Sequence, residues 1–259
     1  LDHVDGDLTV REVAGSTGHQ IEFDLAGGSI WQDNGSTGLF AIDNSSPDHS
    51  ILSIAKSDLE SLTSGVSLHA ASSEFDLQFD TQSSSFDLSQ MRGTLAAEGF
   101  GEIQQAAASD HQVRLGDVSL SADHITLSEF HGDDISLNAN EIDLTGGADS
   151  FSGSTLSVHS AATSIIELGG TSDTVHELNF TDSDITALDA SFHRISFEAT
   201  STDATSSIHV DSPGADFQDA ITPGHDASLH LTADSVQIDG ALSISGGLID
   251  VTATHAATI

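Results

Sequence analysis

Short apolar pairs, each split by one polar residue, recur along this chain, and their spacing limits what it can fold into. Between residues 118 and 144 they read Val118-Ser-Leu120, Ile125-Thr-Leu127, Ile135-Ser-Leu137 and Ile142-Asp-Leu144. A shift of 17 places lays Val118 on Ile135, Leu120 on Leu137, Ile125 on Ile142 and Leu127 on Leu144. Alternation with period two marks a strand with one buried face. A constant shift stacks such strands in ladders, rung above rung. The pattern predicts an all-β fold, a parallel β-helix or β-solenoid, with coils of about 17–24 residues.

The pairs continue as Leu156-Ser-Val158, Ile166-Glu-Leu168, Ile195-Ser-Phe197 and Ile208-His-Val210, with further strands expected at 175–180 and 185–188. The last four begin at Leu229, Val236, Leu242 and Ile249, 7, 6 and 7 residues apart, so three strands complete a coil of 20. The flanking Ile, Leu, Val and Phe face inward, and the middle Ser, Thr, Asp, His, Gln or Glu face water. Before residue 113 the rhythm loosens. Ile21-Glu-Phe23, Leu39 to Ile42, Ile51 to Ile54, Val66-Ser-Leu68, Phe75-Asp-Leu77 and Phe86-Asp-Leu88 are strand-like. Met91 to Ala108, rich in Ala and Gly, reads as a lateral loop or a boundary, and Ala55 to Leu62 is the best helix-period stretch. The expected organisation is one solenoid domain over 1–259, less regular in 1–112 and regular in 113–259. The chain begins at Leu1 and still reads as strand at Val251 to Ile259, which predicts a segment of a longer protein.

Charge narrows the partners. There are 41 acidic residues against 5 basic ones (Arg11, Lys56, Arg92, Arg114 and Arg194), a formal charge of −36. Such a chain repels nucleic acid and anionic membrane surfaces. The acids are scattered among Ser, Thr and Gly, unlike a disordered acidic tail. Salt or divalent cations are the physical means of relieving that repulsion. Aromatic content is 5%, with no Tyr and the single Trp31, which suits a narrow interior filled by aliphatic ladders. With no Cys, disulfides, thiolate metal sites and cysteine nucleophiles are excluded. No apolar run approaches a membrane span or reads as a signal peptide.

Residues 118–127, Val-Ser-Leu-Ser-Ala-Asp-His-Ile-Thr-Leu, and residues 233–248, Ala-Asp-Ser-Val-Gln-Ile-Asp-Gly-Ala-Leu-Ser-Ile-Ser-Gly-Gly-Leu, resemble the coils of filamentous-haemagglutinin-type exoproteins. The resemblance covers residues 113 to 259, with a fainter echo before them. It implies a large secreted right-handed parallel β-helix used in adhesion, biofilm matrix or cell–cell contact. The secretion domain of that class is not recognisable here.

Three chemistries remain to be weighed. Asp outnumbers Glu 30 to 11, and Asp133, Asp134, Asp182 and Asp184 are the candidate Ca2+ ligands, with Asp76 and Asp80 a further local pair. The competing reading is that these Asp residues close turns by bonding their own backbone. Fourteen histidines lack His-x-x-x-His spacing and read as surface imidazoles that soften charge near neutral pH, with His209 and His230 pointing outward. A carbohydrate-active β-helix enzyme, hydrolase or lyase, is the alternative, but with five basic residues the chain is poorly matched to acidic polysaccharides. A virus or phage fibre shaft is a third reading. Glycosylation sequons begin at Asn34, Asn44 and Asn179. The sequence therefore leads to a non-enzymatic, extracellular or cell-surface acidic rod. Its expected partners are further copies of itself, end to end or side by side, or a surface glycan or protein.

Overall fold

The structure, a computed structural model, describes residues 8–12, 20–25, 28–33, 39–43, 52–55, 66–69, 73, 76–79, 85–89, 94–105, 111–161, 165–170, 178–200, 205–211, 214–223 and 227–258. The chain divides into two compact units, Leu1–Gly132 and Asp133–Ile259. Among the described residues both are mostly strand. No helix among the described residues is long and apolar enough to cross a membrane.

The first unit contains β1 (Leu8–Glu12), β2 (Gln20–Leu25), β3 (Gly28–Asp33), β4 (Leu39–Asp43), β5 (Leu52–Ala55), β6 (Val66–His69), β7 (Asp76–Phe79), β8 (Phe86–Asp87), β9 (Leu95–Gln105), β10 (Val113–Arg114), β11 (Val118–Leu127) and β12 (Phe130–His131). One parallel ladder runs β1, β6, β9, β11, with Val10, Leu68, Ala97 and Leu120 in register. A second runs β5, β4, β7, β9, β11, with Leu52, Phe40, Leu77, Ile103 and Ile125 in register. A third joins β8, β10 and β12 through Phe86, Val113 and Phe130. Val113 and Phe130 are partners at a 17-residue step, outside the dyads from Val118 to Leu144 in which the 17-place shift was read.

Two features of this unit depart from the sequence reading. First, β1, β2 and β3 pair antiparallel, Leu8 with Leu25 and Leu25 with Gly28. The short links from 12 to 20 and from 25 to 28 are long enough for hairpins but not for parallel crossovers. Second, Met91 to Ala108 is not a lateral loop, because β9 runs through it from Leu95 to Gln105. Small residues serve packing here. A Cβ at Gly101 would meet the Ser73 carbonyl oxygen at 2.1 Å. The buried Gln105 then donates from Nε2 to the carbonyls of His111 (3.1 Å) and Glu129 (3.3 Å) and accepts from Ser128 N (3.2 Å). The proposed helical stretch lies, beyond Ala55, outside the described residues.

The second unit contains β13 (Asp134–Ala139), β14 (Glu141–Leu144), β15 (Phe151–Ser152), β16 (Thr155–Ser160), β17 (Ile165–Leu168), β18 (Leu178–Phe180), α1 (Asp182–Ala187), β19 (Arg194–Glu198), β20 (Ser207–Val210), β21 (Gly214–Phe217), β22 (Ser228–Ile238), β23 (Ala241–Ile244) and β24 (Leu248–Thr258). Its first ladder stacks Ile135, Leu156, Ile195, Leu229 and Ile249, and beside them Leu137, Val158, Phe197, Leu231 and Val251. Its second stacks Leu178, Ile166, Ile208, Val236 and Ala257. Its third pairs β21 with β23, Phe217 opposite Ile244. The alternation read from sequence is the observed burial pattern. β16 is half-buried at Thr155, Ser157 and His159 and buried at Leu156, Val158 and Ser160. The 20-residue step from Leu229 to Ile249 matches the spacing of the last dyads. Other steps reach 34 and 39 residues, from Ile195 to Leu229 and from Leu156 to Ile195, because α1 and long corners are inserted between rungs. The core also holds more aromatic contact than a purely aliphatic ladder. Phe197 meets Phe180 with ring centroids 5.1 Å apart and Phe217 at 5.8 Å.

The two units share one pairing plan. In each, a strand pairs with the next strand at a 12-residue offset, Phe40 with Leu52 and Ile166 with Leu178, and on its other edge with a strand three places on in the chain. In each, two long strands run through both of the first two ladders, β9 with β11 and β22 with β24, with a register shift partway along. The segments after β5 and β18 also match, Ser57-Asp-Leu-Glu-Ser-Leu62 against Ser183-Asp-Ile-Thr-Ala-Leu188.

Candidate functional site

The helix α1 occupies positions where the sequence suggested a strand at 185–188. Its cause is local. Thr181 takes the N-cap position, and Asp184 completes a capping box by accepting from Thr181 N (2.8 Å) and Thr181 Oγ1 (2.6 Å). Capping satisfies amide donors that a helix start would leave bare, and it overrides the weak strand preference of Ile185. The other Asp184 oxygen accepts from Leu144 N at 2.7 Å, which pins the helix to β14. Burial pushes the Asp184 carboxyl above the ordinary carboxylate range, against the lowering effect of its hydrogen bonds.

Beside α1, an open groove of about 550 Å³ runs along β21 and β23. Ile185, Ala215 and Ala241 are its apolar lining, and Asp182, Thr186, Asp216, Gln218 and Ser243 supply polar groups. Asp216 Oδ1 accepts from Ser243 Oγ (2.6 Å) and from Gln218 N (3.1 Å). The Ser243 bond, with those from Gln218, holds the Asp216 carboxyl below its usual range. An ionised carboxylate at such a rim can accept from hydroxyl or ammonium groups or bind a cation.

The four Asp residues singled out from sequence do not gather at one place. Asp182 lines the groove, while Asp184 points into the protein as helix cap and pin. Asp133 offers its carbonyl to Ser154 N (2.8 Å) and Thr155 N (3.2 Å), and Asp134 Oδ1 accepts from Thr155 Oγ1 (2.7 Å). They tie adjacent rungs together. Asp76 likewise accepts from Glu102 N at 3.0 Å, and Asp80 lies outside the described residues. Among the described residues no group of three or more His, Asp or Glu side chains is placed to hold a metal. Of the sequons, Asn179 is only 2% exposed, so the folded unit has no room for a glycan there. Asn34 and Asn44 lie outside the described residues.

A second arrangement, invisible in the linear sequence, lines the outer face of the second unit. Imidazoles meet carboxylates on neighbouring rungs. His159 Nδ1 lies 3.5 Å from Glu198 Oε2, and His230 Nδ1 lies 3.4 Å from Asp250 Oδ2. His255 Nδ1 lies 3.4 Å from Asp234 Oδ1. His209 is flanked on both sides, Nε2 at 2.9 Å from Asp239 Oδ2 and Nδ1 at 3.7 Å from Glu167 Oε1. The hydrogen bond to Asp239 raises the His209 imidazole above its ordinary value, aided by the negative charge of Asp239, Glu167 and Asp211, and it holds Asp239 below the usual carboxylate range. The middle residues of the dyads carried the signal, but matching them needs the register, which varies from rung to rung. No protein-family model, curated protein or solved structure matches this chain.

Proposed function

We propose that the protein is a structural element, an acidic rod of right-handed parallel β-helix that works outside the cell or at its surface, as an adhesin-like, fibre-forming or matrix segment. The in-register aliphatic ladders carry this reading. From Ile135 to Leu231 the apolar dyads are committed to the interior, and the outward positions between them are polar. Self-association is the expected partnership. Divalent cations such as Ca2+ assist by bridging carboxylates that otherwise keep copies apart at a charge of −36. Asp133, Asp134 and Asp182 are the ligands from the sequence reading that stay near the surface.

Calcium titration followed by electron microscopy tests this. Filaments or bundles that grow with Ca2+ and disperse with chelator are the expected result. Single particles at every Ca2+ concentration contradict it. The groove motivates a second reading, a carbohydrate-active protein, because Asp182 and Asp216 both line it. Release of reducing sugar from neutral polysaccharides, abolished by Asp216→Asn, would support that reading against the first.

A further inference from the structure

The imidazole–carboxylate pairs span rungs that are far apart in sequence. His159 and Glu198 join β16 to β19, His230 and Asp250 join β22 to β24, and His209 connects β20 both to Glu167 on β17 and to Asp239 just after β22. Among the described residues, the register partners of these rings include no competing cation. Asn138 on β13 and Glu198 on β19 flank His159 in the register, and Ser196 on β19 and Asp250 on β24 flank His230. Glu167 on β17 and Gln237 on β22 flank His209, with Asp211 nearby on its own segment and Gln237 Nε2 donating to Asp239 at 2.6 Å. His255 faces Asp234, which accepts from Thr254 Oγ1 at 2.5 Å. Between residues 133 and 259 the sequence offers Arg194 as its only Arg or Lys. Protonated imidazole is therefore almost the only side-chain cation available to cross-link this unit.

We propose that His209, clamped between Asp239 and Glu167 from two other stretches of chain, makes the second unit a pH-responsive structure, tightened by mild acid and loosened as the medium turns alkaline. A histidine whose value is raised by folding stabilises the fold fully below the ordinary imidazole value of about 6.5, and loses that contribution as pH climbs through the raised value. The depressed carboxylates Asp216, Asp234 and Asp239 act in the opposite direction, but only as pH falls below the usual carboxylate range of about 4. Between about pH 4 and about 6.5, His209 and Asp239 are both charged.

The test is urea unfolding of the full chain by far-UV circular dichroism at pH 5.5 and pH 8.0, at one ionic strength, with imidazole NMR titration of His209. The wild type is expected to be more stable at pH 5.5, with the His209 pair contributing up to about fivefold in the folded-to-unfolded ratio, the range of a solvent-exposed ion pair. Protonating every histidine also lowers the formal charge from −36 to −22, which stabilises any compact state. His193→Gln controls for that, since His193 is exposed and makes no ion pair among the described residues. His209→Gln is expected to remove pH dependence that His193→Gln retains. Asp239→Asn keeps the ring, and is expected to lower the titration midpoint of His209. Equal losses in the two histidine variants, or a His209 midpoint at or below the ordinary value, overturn the proposal.

Discussion

Replacing Phe197 with Ala is expected to cost about 3–5 kcal/mol, read as a lower urea midpoint in circular dichroism with the slope unchanged. Phe197 is fully buried in β19, between Val158 and Leu231 in the first ladder. Its ring also contacts Phe180 from the second ladder and Phe217 from the third. Truncation there removes apolar area and leaves a cavity shared by three ladders. None can close it without shifting a register that other rungs hold in place. The conservative Phe197→Leu is expected to recover much of the loss, since it refills most of the volume.

Gly214→Ala is expected to cost about 2–5 kcal/mol, because strain and overpacking act together. Gly214 has φ of +133°, a conformation that L side chains rarely adopt. A Cβ there would meet the Ala241 carbonyl oxygen at 2.1 Å and the Ala241 nitrogen at 2.5 Å. Both are backbone atoms of the paired strand β23, so the clash cannot be relieved by turning a side chain. The same substitution at Gly147 meets nothing within 4 Å, although φ there is +91°, and so separates backbone strain from the clash. The Gly214 variant is expected to lose stability well beyond the Gly147 variant. Equal losses would place the whole effect in φ.

Strand identity was legible in the dyads because burial alternates with the same period as the side chains. Ile135, Leu137, Leu156, Val158, Ile195, Phe197, Leu229 and Leu231 all lie inward as their spacing implies. Register was legible only where corners are short, as from Leu229 to Ile249. Elsewhere one inserted element changes the step, and period-two alternation cannot indicate how many residues a corner consumes. The helix α1 was missed because two residues, Thr181 and Asp184, decide it through capping rather than through an apolar stripe. The shared pairing plan lay hidden because its longer step differs between the units, 37 residues from Phe40 to Leu77 against 42 from Ile166 to Ile208. Of the candidate site, Asp182 was found and the groove around it was not, because its other walls come from β21 and β23.

Distant stretches of chain stack as parallel, in-register rungs, and disulfide trapping tests that stacking on a chain with no cysteine of its own. Ser157 and Ser196 are register partners with their hydroxyl oxygens 3.1 Å apart, although 39 residues separate them. Ser136 is the partner of Ser157 on the other side, two rungs and about 9–10 Å from Ser196. Mild oxidation of the folded Ser157→Cys/Ser196→Cys variant is expected to form an intramolecular disulfide. The Ser136→Cys/Ser196→Cys variant is expected to form none, since its cysteines lie beyond bonding reach. Bridging in the second variant to the same extent as in the first, or in the second alone, would contradict the ladder.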